Sequence, residues 1–180
     1  MVDKVMNWPK EIVTMAGIKS EVAKVDREKL WPYALPRVAA EPAQIAAAEA
    51  KLGIALDPQY REFLSYADGW PAFFHRIDLF GTVELCGNER MQYARELLGY
   101  LEPNVLETAR VQRADLLPIA ATTRDLDVFV MTRSADRQPA QVIWFAAYEI
   151  ERFNSFQEYF LAMQEYNRRE VRALLARAAQ

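Results

Sequence analysis

The residues that could do acid–base or nucleophilic chemistry are few in this chain. Its 180 residues include one histidine, His75, and one cysteine, Cys86. Zinc hydrolases, base deaminases and thiol proteases each need several histidine or cysteine groups acting together. The sequence also has no Gly-rich phosphate loop and no nucleophile elbow. We therefore interpret His75 as a loop histidine satisfied by a neighbour and Cys86 as a small buried hydrophobe.

Carboxylates offer the other chemistry. Asp125 and Asp127 flank Leu126, and such a pair could hold Mg²⁺ together with another carboxylate. At the start of a strand, alternation would direct both side chains outward, so a solvated edge is the preferred interpretation, and no metal or other cofactor is predicted. Glu149 and Glu151 follow a later predicted strand. We call these four acids the acidic rim, which could meet arginines or lysines of a partner if the sheet brings the strand ends together.

An aromatic cluster follows a predicted turn at residues 68–69. Trp70, Phe73 and Phe74 lie close together in the sequence, and aromatic side chains beside acids are typical of the centre of a protein interface. Packing in the core is the simpler interpretation of the same residues. The sequence thus nominates a set of partner-binding residues: Asp68, Trp70, Phe73, Phe74, Asp125, Asp127, Glu149 and Glu151.

Composition limits the class of protein. With 52% hydrophobic and 26% charged residues, the chain is typical of one globular domain. A formal net charge of −3 gives no basic field for a nucleic acid, and weak acidity favours a basic partner. The N-terminus lacks the apolar core of a secretory signal, and the longest apolar run, residues 142–148, is too short to span a membrane. We expect a cytoplasmic protein that binds neither nucleic acid nor membrane.

The elements that must position these residues begin with two regions. Residues 1–40 contain Pro9, Pro32 and Pro36, so any helix there is expected to be broken or short. We predict that they form a helical leader packed on the domain. Residues 41–180 are predicted to form the domain itself.

Two helices with a short connection are predicted at the start of that domain. The first begins near Pro42 and stops at Gly53, where a helix end favours a left-handed residue. Asp57 is a predicted N-cap of the second helix, and Pro58 suits its first turn. Helical spacing then places four apolar residues on one face: Tyr60, Phe63, Leu64 and Ala67.

The rest of the chain mixes strands and helices. A strand broken by Gly81 is predicted at 77–85, and a helix at 88–98. Ser155 opens a capping-box sequence for a long closing helix. Three more strands are predicted at 116–121, 126–132 and 142–148. The fold class is therefore α+β: a single domain with a mainly antiparallel central sheet flanked by helices and a long C-terminal helix.

The order of these motifs resembles the SUKH superfamily, the Smi/Knr-type domain common among bacterial immunity proteins. Here the proline falls one residue later than usual, behind Asp57, and aspartate replaces the usual asparagine in the turn. Leu117-Pro118-Ile119 is similar to the family's central strand entry, and Ser155-Phe156 to its closing helix. The resemblance covers about residues 40–165. Its first half is carried by these residues: Ile45, Glu49, Leu52, Gly53, Leu56, Pro58, Tyr60, Phe63, Leu64 and Asp68-Gly69.

The resemblance implies a function in binding. Proteins of this superfamily bind and neutralise toxins of polymorphic systems, contact-dependent or type VI secreted, and no catalytic site is implied. The expected partner is a cognate protein toxin, and a basic nuclease suits the acidic charge of the chain. Two alternatives stay open: a regulatory or scaffolding module unrelated to toxins, and an enzyme that uses Asp125 and Asp127.

Overall fold

The chain forms helices around one antiparallel sheet, seen in a computed structural model that describes residues 6–122, 124–133 and 139–179. The sheet has six strands in the order β1 to β6, each antiparallel to its neighbours. The strands are β1 Trp70–Phe74, β2 Ile77–Leu79, β3 Leu116–Ala121, β4 Asp127–Thr132, β5 Val142–Ala146 and β6 Tyr148–Phe153. The helices are α1 Trp8–Val25, α2 Pro42–Leu52, α3 Pro58–Leu64, α4 Thr82–Leu85, α5 Glu89–Gly99, α6 Pro103–Ala109 and α7 Phe156–Ala178. The predicted α+β class, the antiparallel sheet and the long C-terminal helix are confirmed.

Helices cover both faces of the sheet. The long helix α7 packs on one face, where its Tyr159 contacts Phe129 of β4 and its Tyr166 contacts Trp144 of β5. Helix α1 packs against α7 and closes that side. On the other face, α5 contacts β3 and β4, and α6 contacts β6. The hydrophobic core therefore has two layers with the sheet between them.

The predicted helix pair is present as α2 and α3. Gly53 ends α2 at φ +69°, a left-handed conformation that glycine adopts without steric cost. The Asp57 carboxylate caps α3 by accepting hydrogen bonds from the backbone N–H groups of Gln59 and Tyr60. Three apolar residues of α3 are fully buried: Tyr60, Phe63 and Leu64.

The prediction of broken or short helices in residues 1–40 is wrong. Helix α1 runs for 18 residues without interruption. Pro9 lies in its first turn, where a backbone N–H has no helical partner to lose. Pro32 and Pro36 lie beyond its end at Val25, so they do not interrupt it. The division of the chain at residue 40 stays a prediction.

A strap of chain, residues 34–40, crosses from α1 to α2 along the edge of β1. The Trp70 indole donates to the carbonyl oxygen of Ala34 at 3.0 Å, and the backbone N–H of Asp68 donates to the carbonyl oxygen of Val38 at 3.3 Å. The Arg37 guanidinium forms a bidentate ion pair with Glu84, at 2.8 and 2.9 Å. The strap is therefore tied to the turn before β1, to the first side chain of β1 and to α4.

Two other predicted elements are corrected by local geometry. The strand predicted at 77–85 ends at Leu79, and α4 begins at Thr82 after the turn through Gly81. The strand predicted at 142–148 divides into β5 and β6, because Ala147 adopts φ +64° and reverses the chain. The aromatic cluster, for which no strand is predicted, forms the edge strand β1.

The turn at residues 68–69 lies against the backbone at Gly81. A Cβ atom on Gly81 would lie 2.6 Å from the carbonyl carbon of Asp68, and one on Gly69 would lie 2.6 Å from the backbone nitrogen of Gly81. Real Cβ contacts are longer than this, and backbone atoms on both sides leave nothing flexible to move. Only glycine fits at either position.

Replacing Gly81 tests this close approach. Gly81→Ala is expected to lower the free energy of unfolding by more than about 4 kcal/mol, because two backbone segments must separate. The matched control is Gly17→Ala in α1, where an added methyl group meets open space and should stabilise by about 0.5–1 kcal/mol. Urea denaturation of both variants measures the difference. Equal stability of the two variants would contradict the packing.

A second substitution tests the buried face of α3. Phe63→Ala is expected to cost about 3–5 kcal/mol, because the phenyl ring fills a core position that cannot collapse fully. Val13→Ala on the exposed side of α1 should change stability by less than about 0.5 kcal/mol. Thermal or urea unfolding followed by circular dichroism is the measurement. A midpoint for Phe63→Ala equal to that of the unmodified protein would exclude α3 from the core.

Candidate protein-binding site

The aromatic cluster lies in the core rather than on the surface. Trp70 and Phe73 are fully buried, and their rings pack with centroids 5.7 Å apart. Phe73 also packs against Phe160 of α7. We correct the expectation that Trp70 and Phe73 anchor a partner, because they have no exposed surface to offer. Phe74 is 7% exposed and borders the cleft described below.

Asp68 is likewise a structural residue. Its carboxylate accepts hydrogen bonds from the backbone N–H of Thr82 at 2.6 Å and from the Thr82 hydroxyl at 2.7 Å. Both oxygens are thus occupied, and the residue is buried. Asp68 therefore caps α4 and does not present its charge to a partner.

The acidic rim is not one continuous surface. Glu151 pairs across the sheet with Trp144, whereas Glu149 pairs with Phe145 after a register shift. Because neighbouring residues of a strand point to opposite faces, the two glutamates lie on opposite sides of the sheet. Glu149 forms an ion pair with Arg152 at 2.8 Å. Glu151 accepts a hydrogen bond from the hydroxyl of Tyr166 at 2.5 Å, on the α7 side.

Three of the nominated residues do come together in a cleft of about 490 Å³. Phe74, Asp125 and Asp127 all contribute to its lining. The size is that of a pocket for a small molecule or for a side chain of a partner protein. The complete lining, called the cleft from here on, is Trp31, Phe74, His75, Arg76, Ile77, Thr122, Arg124, Asp125, Asp127 and Trp144.

One wall of the cleft is held by a single carboxylate. Glu170 of α7 accepts from the Trp31 indole at 2.8 Å and bonds to Nε2 of His75 at 3.0 Å. An ionised carboxylate only accepts hydrogen bonds, so Nε2 of His75 carries the hydrogen. The rings of Trp31 and His75 stack with centroids 3.8 Å apart. His75 is therefore satisfied by its neighbours, as the sequence predicts.

His75 resists protonation in this position. Burial lowers its pKa, and the charge of Lys19 on α1 acts in the same direction. The hydrogen bond and the charge of Glu170 oppose this effect without overcoming it. Lys19 itself is buried, and burial lowers its pKa to about 8. The wall thus favours a neutral imidazole next to a paired carboxylate.

The opposite wall is built from the sheet. Trp144 stacks on Phe129 at 5.0 Å, and its indole donates to Oδ1 of Asp127 at 2.7 Å. Burial raises the pKa of Asp127, and the nearby charge of Asp125 raises it further. Among the residues that the structure describes, no lysine or arginine forms an ion pair with Asp127. Within those same residues, no three His, Cys, Asp or Glu side chains converge to hold a metal ion.

Sequence reasoning missed Trp31 and Trp144. Trp31 belongs to the proline-rich stretch whose structure was mispredicted, so no element indicated where it would lie. Trp144 carried a usable signal: β4 and β5 are consecutive strands, and Trp144 pairs with Phe129, two residues along β4 from Asp127 and on the same face. Pairing these strands as neighbours would have placed the indole beside the carboxylate.

The pKa of His75 generates a prediction about pH. Below about pH 6.5, the ordinary pKa of histidine, the unfolded chain binds a proton at His75 more readily than the folded protein does. The free energy of unfolding therefore decreases as the pH is lowered. His75→Gln keeps a donor for Glu170 but cannot titrate. Its melting temperature should therefore fall less between pH 7 and about pH 5 than that of the unmodified protein. The same fall in both proteins would contradict a depressed pKa.

None of the helices in the described part of the chain is long and apolar enough to cross a membrane.

Two comparisons with known proteins bear on the identity of the chain. No curated protein matches the sequence. The family model of the SMI1 / KNR4 family (SUKH-1) matches residues 39–162, which contain every strand of the sheet and most residues of the cleft. Because this match covers more than half of the sequence, the chain belongs to the SMI1 / KNR4 family (SUKH-1).

Proposed function

We propose that this protein is an immunity protein of a bacterial polymorphic toxin system. It binds a cognate toxin in the cytoplasm and neutralises it by occluding the active site or substrate groove. Membership of the SUKH-1 family supports a role in binding a protein partner. The observation that carries the proposal is the open cleft, whose walls combine half-buried tryptophans with an acidic edge.

The polar groups of the cleft suit binding better than turnover. The His75 imidazole is held by Glu170, whose other oxygen accepts from Trp31. The imidazole is also stacked between the rings of Trp31 and Phe74, at centroid distances of 3.8 and 3.9 Å, so apolar rings flank it on both faces. The carboxylate of Asp127 accepts from Trp144 and is fixed against the wall. We infer that this site recognises a partner without transforming it.

The cleft contains the side chains that usually dominate a protein interface. Trp31 and Trp144 are half-buried, so each is rigidly held yet exposes part of its ring. Rings of this kind bury a large apolar area at low entropic cost when a partner covers them. Asp125 lies exposed at the rim and can attract a basic surface over a longer distance.

Charge favours a basic toxin. The net charge of −3 is weak, but Asp125 and Asp127 concentrate negative charge at the cleft. A basic groove, such as that of a nuclease, would be attracted to this region and then screened from nucleic acid by the bound inhibitor. The proposed toxin is therefore a protein with a basic substrate groove.

Expression of the neighbouring genes tests the proposal directly. Each adjacent open reading frame is expressed in a sensitive bacterial host, alone and together with this chain. We expect one of them to arrest growth and this chain to restore it, with formation of a stoichiometric complex on gel filtration. Protection without complex formation would indicate an enzymatic or regulatory function instead. If no neighbouring product is both toxic and neutralised, the proposal is wrong.

The acids of the cleft provide a more specific prediction. Asp125→Asn combined with Asp127→Asn should slow association with the toxin roughly tenfold at low salt, because electrostatic steering is lost. The difference should shrink as salt screens the wild-type attraction. The matched control is Glu149→Gln with Glu151→Gln, which removes the same charge from β6. Stopped-flow measurements compare the two double variants. Equal association rates would exclude the cleft as the acidic face.

A further inference from the structure

A carboxylate without a cationic partner marks the wall of the cleft. Two other acids are paired with arginine: Glu84 with Arg37, and Asp78 with Arg90. The buried Asp26, Asp57 and Asp68 instead accept hydrogen bonds from backbone N–H groups. Asp127 is half-buried, and the one hydrogen bond that its carboxylate accepts within the described residues, from Trp144, occupies only Oδ1. The other oxygen has neither kind of partner in the described structure, and a cation there would satisfy it as arginine satisfies Glu84 and Asp78.

The position also destabilises the unpaired charge. Burial raises the pKa of Asp127, and the charge of Asp125 adds to this effect. A cation placed in the cleft would reduce the cost of burying the Asp127 charge, because it replaces lost hydration. It would also offset the repulsion between the carboxylates of Asp125 and Asp127. The charge of His75 gives little help, since burial lowers its pKa and keeps the ring neutral near pH 7.

Aromatic rings line the space in front of this carboxylate. Trp31, Phe74 and Trp144 all border the cleft. A cation held against the face of such rings gains additional attraction, which is strongest for tryptophan. Arginine suits this setting better than lysine, because its planar guanidinium can stack on an indole while donating two hydrogen bonds to a carboxylate.

The two arginines that belong to the cleft do not fill this role. The Arg76 guanidinium donates to the backbone oxygen of Leu30 at 3.2 Å and so is directed towards the segment that carries Trp31. Arg124 lies exposed at the rim. Neither forms an ion pair with Asp127 or Asp125 in the described structure.

We infer that the cleft receives an arginine side chain of the partner protein, with its guanidinium bound to Asp127 and lying against Trp31 and Trp144. This inference rests on the proposed function, because it names the part of the partner that the cleft binds. The cleft volume of about 490 Å³ leaves room for the side chain.

Two residues of one wall lie outside the family match. Trp31 and the Glu170 that holds it are outside residues 39–162, whereas Asp127 and Trp144 are within them. The family domain therefore supplies the counter-charge and one ring, and the N-terminal segment adds the second ring.

The four indole N–H groups allow a test that needs no toxin. Trp31 and Trp144 donate to Glu170 and Asp127 in the cleft, whereas Trp8 and Trp70 are fully buried elsewhere and serve as internal controls. The probes are N-acetyl-arginine methylamide and its neutral isostere, N-acetyl-citrulline methylamide. Titration is followed in ¹H–¹⁵N spectra at low salt. We expect saturable shifts of the Trp31 and Trp144 signals only, with the citrulline probe binding at least about tenfold more weakly.

Four variants assign the binding energy to its source. Asp127→Asn should remove the preference for arginine over citrulline. Trp31→Leu should weaken binding of the arginine probe while leaving that preference in place. Glu151→Gln, on the same face of the sheet, should change neither. Arg124→Gln should leave arginine binding intact or strengthen it, because it removes a positive charge that repels the arginine probe at the edge of the cleft.

Several results would overturn the inference. The first is the absence of saturable shifts, and the second is equal binding of arginine and citrulline. The third is loss of probe binding in Arg124→Gln but not in Asp127→Asn, a result that would indicate an anion site. The toxin test separates this inference from the proposed function. Protection without probe binding refutes only the arginine site, and probe binding without a neutralised toxin refutes only the immunity function.

Discussion

The close approach of two backbone segments, at Asp68–Gly69 and at Gly81–Thr82, is the constraint on which the rest of the structure depends. It joins the helix pair to the sheet, because Asp68 follows α3 and caps α4 through Thr82. Tyr60 reinforces the junction by donating from its hydroxyl to the Phe80 carbonyl at 2.8 Å. A side chain at either glycine would separate the segments. The helix pair α2 and α3 therefore has a structural role, which is to hold this junction with the sheet in place.

This junction determines where the cleft can form. It fixes the start of β1 next to the end of β2, so the turn between them places His75 at the opposite end of the hairpin. There the imidazole meets Trp31 and Glu170, which come from distant parts of the chain. The strap contributes to the same arrangement, since it ties the N-terminal segment along β1. The wall of the cleft thus depends on contacts made far from it.

The acids of the domain differ in whether their oxygens have partners inside the protein. Asp68 and Glu149 are occupied inside the protein, by Thr82 and by Arg152. Asp127 keeps one oxygen without a partner in the described structure, and it is the acid that faces aromatic rings across an open space. A nearly neutral chain can in this way present a local negative site. Net charge alone would not reveal such a site, because paired charges contribute to the sum without attracting a partner.

The sequence by itself determined the local elements. Asp57 and Pro58 start α3, Gly53 ends α2, and the apolar residues of 116–121 form β3. Caps, left-handed glycines and short apolar runs act over a few neighbouring residues. Only the tertiary structure decided which side chains share a surface. The register shift beside Glu149 separates it from Glu151, although alternation alone would place both on one face. The cleft likewise joins a tryptophan of the N-terminal segment to one of β5, and such a contact depends on the packing of whole elements, which no local pattern encodes.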